Sequence, residues 1–233
     1  MIQSRALLLL LVIINIKLSF AQLAIIKDPD GYVNVRQDKS IEAKVIAKLF
    51  NDDIVMVYYE PGTLWREVFK TSKFGDIHGY INKSRLTELT QLESIAGTSA
   101  FRNRNGNSLS ITNDTLSFSI SLKPFNIKAH QIERTKEGYV QKIDGRIPWG
   151  IDGNLPKMEI SGISLKIKGK LVVIPPSCYK DLFEIGLESL NIYHDNRGTT
   201  YIYFPNNSDG AGGYFGTWVI KGGLYKNRYV DTL

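Results

Sequence analysis

The chain has 233 residues, a formal net charge of +6 and 43% hydrophobic residues, which is the composition of a globular chain of one or two domains. Its basic residues are dispersed among acidic ones without a basic run, so the sequence argues against a nucleic-acid partner. Cys178 is the only cysteine. This excludes an intramolecular disulfide, and stability has to come from a buried core.

Residues 1–21 have the pattern of a cleaved secretory signal. Arg5 gives a basic start, an apolar run follows, and small residues precede a cut between Ala21 and Gln22. A transmembrane anchor is the alternative, but the apolar run is about eleven residues long where a span needs roughly 20. We therefore predict an exported protein, periplasmic or secreted, with no stable membrane insertion after the signal is cleaved.

Residues 22–90 contain short β-prone runs separated by turn sequences such as Asp-Pro-Asp-Gly at 28–31, which predicts a small barrel. In the run 31–36 apolar and polar residues alternate, which places Val33 and Val35 inside and the residues between them outside. In each of two further runs, every second residue lies on one face of its strand, and these residues are expected to fill the barrel core: Val45, Ala47, Leu49, Ile54, Met56 and Tyr58.

Three motifs in this region occur in a fixed order: Gly-Tyr-Val-Asn-Val-Arg at 31–36, Trp-Arg-Glu-Val at 65–68 and Gly-Tyr-Ile-Asn-Lys-Ser-Arg-Leu at 79–86. With these motifs, residues 24–88 resemble the bacterial SH3-like (SH3b) family. The resemblance implies an SH3-like barrel whose surface binds peptides of the cell envelope or peptidoglycan. It implies no cofactor.

The remainder of the chain divides into a linker and a second region. Residues 91–108 are rich in Ser, Asn, Gly and Arg, and we predict a linker there. Residues 109–233 are predicted to be a larger antiparallel β-rich domain, a sandwich or an open barrel. Asp-Gly at 144–145 and Gly-Gly at 222–223 are two-residue hairpin signals. The only fair helical candidate, at 179–186, is short.

Two glycine-containing loops stand out in the second region, at 149–156 and at 206–214. With them, the region resembles an uncharacterised β-rich region that follows SH3-like modules in secreted bacterial proteins. That resemblance implies no activity.

Catalytic and metal-binding chemistry finds little support in the sequence. A cysteine nucleophile needs a histidine base, and the positions of His130 and His194 relative to Cys178 fit neither a papain-like order nor an L,D-transpeptidase motif. No two histidines have metal-ligand spacing. The loop around Asp209 offers oxygen ligands, yet it lacks the calcium-loop register, so a weak calcium site there stays open. We predict no catalytic residue, no metal and no cofactor.

Binding is better supported, because aromatic side chains with a polar group suit a surface groove for peptides or sugars. The candidate ligand-binding residues are Tyr32, Asn34, Tyr59, Tyr80, Trp149, Asp152, Asp209 and Tyr214. The expected function is that of an exported, non-catalytic protein that binds peptidoglycan or an envelope peptide or protein. The alternatives are a cell-wall hydrolase with its site in the second region, and an interaction or inhibitor module of an envelope enzyme.

Overall fold

The computed structural model describes residues 21–71, 75–95, 101–206 and 211–232. Within these ranges the chain forms nineteen strands and four 3-10 turns, and every pair of neighbouring strands is antiparallel. The prediction of an all-β chain built from antiparallel sheets is therefore confirmed. Across the described ranges, no helix is long and apolar enough to cross a membrane. The signal prediction lies outside the described residues, apart from Ala21.

The first sheet has seven strands in the order β3-β2-β6-β5-β4-β1-β7. Its strands are β1 (Ala21–Ile26), β2 (Tyr32–Arg36), β3 (Val45–Phe50), β4 (Ile54–Tyr58), β5 (Trp65–Lys70), β6 (Ile77–Asn82) and β7 (Leu86–Glu88). A 3-10 turn at Lys83–Arg85 joins the last two strands, and another follows at Leu89–Gln91.

One face of the first sheet encloses its own apolar core, which contains Val33, Val35 and Ile81. The predicted inward position of Val33 and Val35 is confirmed. Val45 was expected in this core but is 41% exposed, because β3 is an edge strand and the register shifts beside Arg36.

Strand β4 is buried on both faces. Val55 and Val57 face the core of the first sheet. Ile54 and Met56 are buried on the opposite face, and Tyr58 is partly buried there, against residues of the second region. The alternation read from the sequence was correct, but these three side chains fill a different core from the one predicted.

Two five-stranded sheets and a ribbon form the rest of the fold. The middle sheet has the order β15-β14-β11-β10-β9 and the closing sheet the order β19-β18-β17-β16-β8. Their strands, with the ribbon β12-β13, are β8 (Glu93–Ser94), β9 (Phe101–Asn105), β10 (Ser108–Thr112), β11 (Leu116–Pro124), β12 (Ile132–Arg134), β13 (Val140–Ile143), β14 (Met158–Ile167), β15 (Lys170–Leu171), β16 (Asn191–His194), β17 (Thr199–Pro205), β18 (Tyr214–Lys221) and β19 (Leu224–Thr232).

The closing sheet lies between the other two sheets and is covered on both faces. Trp218 and Ile220 of β18 belong to the core shared with the middle sheet. Phe215 and Val219 of the same strand belong to the core shared with the first sheet, where they join Ile25 and others. Every residue of β18 before Lys221 is buried, as expected for a strand between two layers.

An ion-pair network borders the contact between the first and closing sheets. The Lys27 ammonium lies 3.2 Å from Asp195 and 3.4 Å from Asp52, and Lys221 lies 2.5 Å from the other oxygen of Asp52. Asp195 is the most buried member, with a side chain only 4% exposed. The two predicted domains are thus joined by an apolar core and by charge pairs.

The segment predicted as a linker, residues 91–108, contains strands β8 and β9. Strand β9 is an edge strand and all its residues are exposed, so its sequence lacks the apolar alternation that would have revealed it. The Arg102 guanidinium donates to the carbonyls of Leu187, Glu188 and Leu190, each at 2.8 Å. The domain boundaries stay a prediction.

The two predicted hairpin turns are present. Asp144 and Gly145 have φ of 52° and 75°, and Gly222 and Gly223 have φ of 61° and 74°, the conformation of a type I′ turn. Residues 179–186 form bridged turns in place of the helix considered from sequence, after a 3-10 turn at Pro176–Cys178. The fourth 3-10 turn is Ile127–Ala129.

Candidate functional site

The outer face of the first sheet carries a group of aromatic and polar side chains. Tyr32 and Asn34 of β2 alternate with buried valines and lie partly exposed on this face. Residues directly opposite each other on neighbouring strands share a face. The pairing of Arg36 with Tyr80 and of Trp65 with Asn82 therefore places β5 and β6 side chains on it as well.

Most of these side chains, but not Tyr80, line a groove of about 160 Å³, here called the β2 groove. Its lining consists of Asp28, Asp30, Tyr32, Val33, Asn34, Arg36, Ile41, Trp65, Asn82 and Arg85. A wider groove of about 540 Å³ shares Asn82 with it and is lined in part by Leu64, Arg66 and Leu86. The two together cover the surface around the turn that follows β6.

Charges of both signs are fixed at the β2 groove. Asp28 and Arg85 form an ion pair of 3.2 Å, and the side chain of Asp28 is only 6% exposed. The carboxylate of Asp28 also accepts a hydrogen bond from the amide of Asp30 at 2.8 Å. The Arg36 guanidinium donates to the carbonyl of Ala43 at 2.7 Å. A ligand would therefore meet preoriented polar groups.

Asn34 has an unsatisfied acceptor in the β2 groove. Its Oδ1 atom is buried and has no hydrogen-bond partner within the described part of the chain. A buried acceptor without a donor costs free energy, of the order of 1–3 kcal/mol. Rotation of this side chain toward the β2 groove would let a ligand N–H or O–H donate to Oδ1 and remove that cost.

Three of the predicted aromatic residues have a cation over the ring. The Lys48 ammonium lies 4.1 Å from the ring centre of Tyr32, Lys39 lies 5.5 Å from that of Tyr80, and the Arg66 guanidinium lies 4.7 Å from that of Tyr59. Such contacts orient a half-exposed ring. Tyr59, 48% exposed, follows β4, and neither groove includes it.

Comparison of the chain with protein-family models, with curated proteins and with solved structures finds no match. The similarity of residues 24–88 to the SH3-like family therefore rests on the three motifs alone.

The predicted residues of the second region that the structure describes, Trp149, Asp152 and Tyr214, do not line one groove. The rings of Trp149 and Tyr214 lie 6.2 Å apart, but Tyr214 is fully buried and its hydroxyl donates to the carbonyl of Phe183 at 2.9 Å. Burial raises the pKa of Tyr214 well above its ordinary value. Tyr214 is thus part of the scaffold, which corrects its prediction as a ligand contact. Asp152 lines a separate groove, and Asp209 lies outside the described residues.

The described histidines have partners other than Cys178. His78 contacts Glu67 at 2.6 Å, and His194 contacts Thr200 at 3.3 Å. The ring nitrogens of His130 contact Asp144 and Glu159 at 2.8 and 3.0 Å. In the described ranges no three His, Cys, Asp or Glu side chains are placed to hold a metal ion.

Replacing Cys178 with serine should cost about 1–3 kcal/mol of folding free energy, the loss expected for a partly buried side chain. Cys178 is half-buried and packs against the core shared by the middle and closing sheets. Urea unfolding measures the loss. If the protein digests cell walls and Cys178→Ser abolishes that activity while the fold persists, the hydrolase alternative is correct.

Several residues of the β2 groove were not predicted as site residues. Asp28 was read only as part of a turn, and Asn82 and Arg85 only as part of a motif. Trp65 belongs to the second motif and was not among the candidate ligand-binding residues. The sequence signal available for Asn82 was its place two residues after Tyr80 in the same strand, which puts both on one face.

Proposed function

We propose that this protein is exported and non-catalytic, and that the β2 groove binds peptide segments of the cell envelope, such as the peptides of peptidoglycan. The single observation that carries the proposal is the unsatisfied Oδ1 of Asn34 beside Tyr32 and the Asp28–Arg85 pair. The N-terminal sequence and the three SH3-like motifs support the location and the ligand class.

A peptide ligand matches the chemistry of the groove. A backbone N–H can donate to Asn34, and the ring of Tyr32 offers an apolar surface with a hydroxyl at its end. Peptides of the cell wall carry both carboxylates and amines. In the Asp28–Arg85 pair, the guanidinium is complementary to a ligand carboxylate and the Asp28 carboxylate is complementary to a ligand amine.

Replacing Tyr32 with alanine should weaken retention on purified peptidoglycan about tenfold, a loss of about 1.4 kcal/mol. The melting temperature should fall by less than about 4 °C, because Tyr32 is half-exposed and outside the buried core. Asn34→Ala should weaken retention similarly, because it removes the acceptor that the ligand satisfies. A sedimentation assay and a thermal melt on the same samples measure both quantities.

Phe50→Ala is the matched control for this experiment. Phe50 lies directly opposite Tyr32 on β3 and is 60% exposed, but it does not line the β2 groove. Retention should be unchanged in this variant. Undiminished retention in both Tyr32→Ala and Asn34→Ala, or unfolding of Tyr32→Ala, would refute the proposed site.

A further inference from the structure

A further groove, in the second region of the chain, has the features of a small polar binding site. This loop groove encloses about 420 Å³ and is lined mainly by residues of the loop 150–157. The residues that matter for ligand chemistry are Ile151, Asp152, Asn154, Leu155, Pro156 and Lys157. It therefore combines an apolar wall with a carboxylate, an amide and an ammonium group.

Three charged side chains line the loop groove, and only Glu184 among them makes hydrogen bonds within the described part of the fold; Asp152 and Lys157 do not. Across the described residues, no donor contacts the carboxylate of Asp152, and no carboxylate contacts the ammonium of Lys157. The side-chain amide of Asn154 donates to the backbone carbonyl of Asp152 at 3.2 Å. The charges of Asp152 and Lys157 have opposite signs, so a cation would meet one repulsive group and an anion would meet two, Asp152 and Glu184. A hydroxyl group suits both, because it donates to a carboxylate and accepts from an ammonium.

An exposed aromatic ring stands at the rim of this groove. Tyr139 is 59% exposed and its ring packs on Gly153, where a Cβ atom would lie 2.8 Å from the ring. The amide of Val140 donates to the Gly153 carbonyl at 2.7 Å, which holds Tyr139 beside Asp152 and Asn154. One side of the ring is supported and much of it is open to solvent. An aromatic face of this kind packs against the C–H face of a sugar ring.

The backbone of the groove is fixed before any ligand arrives. The Glu184 carboxylate accepts hydrogen bonds from the amides of Lys157 and Met158 at 2.5 and 2.8 Å. The amide of Trp149 donates to the carbonyl of Asp181 at 2.8 Å. A preorganised site loses less free energy on binding, because its groups are already ordered.

We infer that the loop groove binds a pyranose ring of a neutral glycan chain, with the sugar stacked on Tyr139 and its hydroxyls bonded to Asp152 and Lys157. This inference goes beyond the proposed peptide site and uses different residues. If both sites act, the protein would bind the peptide and the glycan of one polymer together, which raises retention through effective concentration.

The test is an NMR titration of the protein with two soluble probes, the β-1,4-linked tetramers of glucose and of N-acetylglucosamine. At least one should bind and shift amide signals of residues 150–157. Tyr139→Ala and Asp152→Asn should each weaken that binding about tenfold, or about 1.4 kcal/mol. Tyr139→Phe, which keeps the ring, should retain it.

Two controls separate this site from the peptide site and from general surface effects. Tyr59→Ala removes an exposed tyrosine of the first region, and Asp114→Asn removes an exposed carboxylate of the second; both should bind as the unchanged protein does. Failure of both tetramers to bind, or equal binding by Tyr139→Ala, would overturn the inference. A loss in Tyr59→Ala equal to that in Tyr139→Ala would also overturn it, whatever the outcome of the Tyr32 experiment.

Discussion

Replacing Lys27 with methionine should lower the free energy of unfolding by about 3 kcal/mol. The change leaves Asp195, with a side chain only 4% exposed, without its cation. Removing one partner of a buried ion pair costs about 3–5 kcal/mol. We expect the lower end of that range, because the amides of Arg197 and Thr199 still donate to Asp195 at 3.0 and 2.8 Å. Urea unfolding at neutral pH measures the effect.

Lys39→Met is the matched control for Lys27→Met. Lys39 also forms an ion pair, with Glu60, but both side chains are well exposed. Exposed pairs contribute about 0–1 kcal/mol, so this variant should be nearly as stable as the unchanged protein. A similarly small loss for Lys27→Met would mean that the network between the sheets contributes no more than an ordinary surface pair.

The same network predicts how stability depends on pH. Burial by itself raises the pKa of Asp195, but the amide of Thr199 and the charge of Lys27 outweigh it and hold the pKa below its ordinary value. Burial also raises the pKa of Asp52, but the hydrogen bonds and charges of Lys221 and Lys27 outweigh this effect. The pKa of Asp52 is therefore lowered too. A carboxylate with a lowered folded-state pKa contributes stability above its unfolded pKa, and that contribution is lost as the pH falls.

Stability should therefore decrease as the pH is lowered from about 5 to about 2, and the decrease should be smaller in Lys27→Met. Part of the loss should persist in the variant, because Asp144 also has a lowered pKa that does not depend on Lys27. Its pKa is lowered chiefly by the hydrogen bond from the Gln131 amide and next by the hydrogen bond with His130. Urea unfolding at three pH values tests this. An identical loss in both proteins would show that Lys27 does not set the pKa of either partner.

Local patterns in the sequence were sufficient to predict that the first region consists of short strands, although β7 was not among the predicted runs. Alternation alone placed Val33 and Val35 inside and Tyr32 and Asn34 outside. The glycine at position 79 is required by close packing, because a Cβ atom there would lie 2.5 Å from the Arg36 carbonyl where β2 meets β6. The turns at 144–145 and 222–223 were equally readable, since Gly and Asp are among the few residue types that adopt a positive φ.

The packing between the two regions was missed although a signal was present. Residues 54–58 are apolar without interruption, which is typical of a strand buried on both faces. The sequence does not identify what covers the second face, because the partners Tyr201 and Phe215 come from distant strands. For the same reason the Asp28–Arg85 pair could not be predicted, since it depends on β1 and β7 being neighbours.

Replacing Gly150 with alanine should destabilise the protein by about 3 kcal/mol or more, since two separate costs add. Gly150 has φ of 92°, a conformation that costs an L-residue of the order of 1–3 kcal/mol. The new Cβ would also lie 2.3 Å from the carbonyl oxygen of Phe183 and 2.9 Å from the ring of Tyr214. That carbonyl accepts the hydroxyl of Tyr214, so moving it breaks a buried hydrogen bond.

Gly145→Ala separates the two costs. Gly145 also has a positive φ, 75°, but a Cβ atom there would meet nothing within 4 Å. This variant should therefore lose only the conformational part, about 1–2 kcal/mol. Urea unfolding of both variants gives the difference, which is the cost of pushing the Phe183 carbonyl away from its place under the 149–156 loop. Equal losses in the two variants would mean that the backbone conformation alone sets the cost and that the close approach at Gly150 adds nothing.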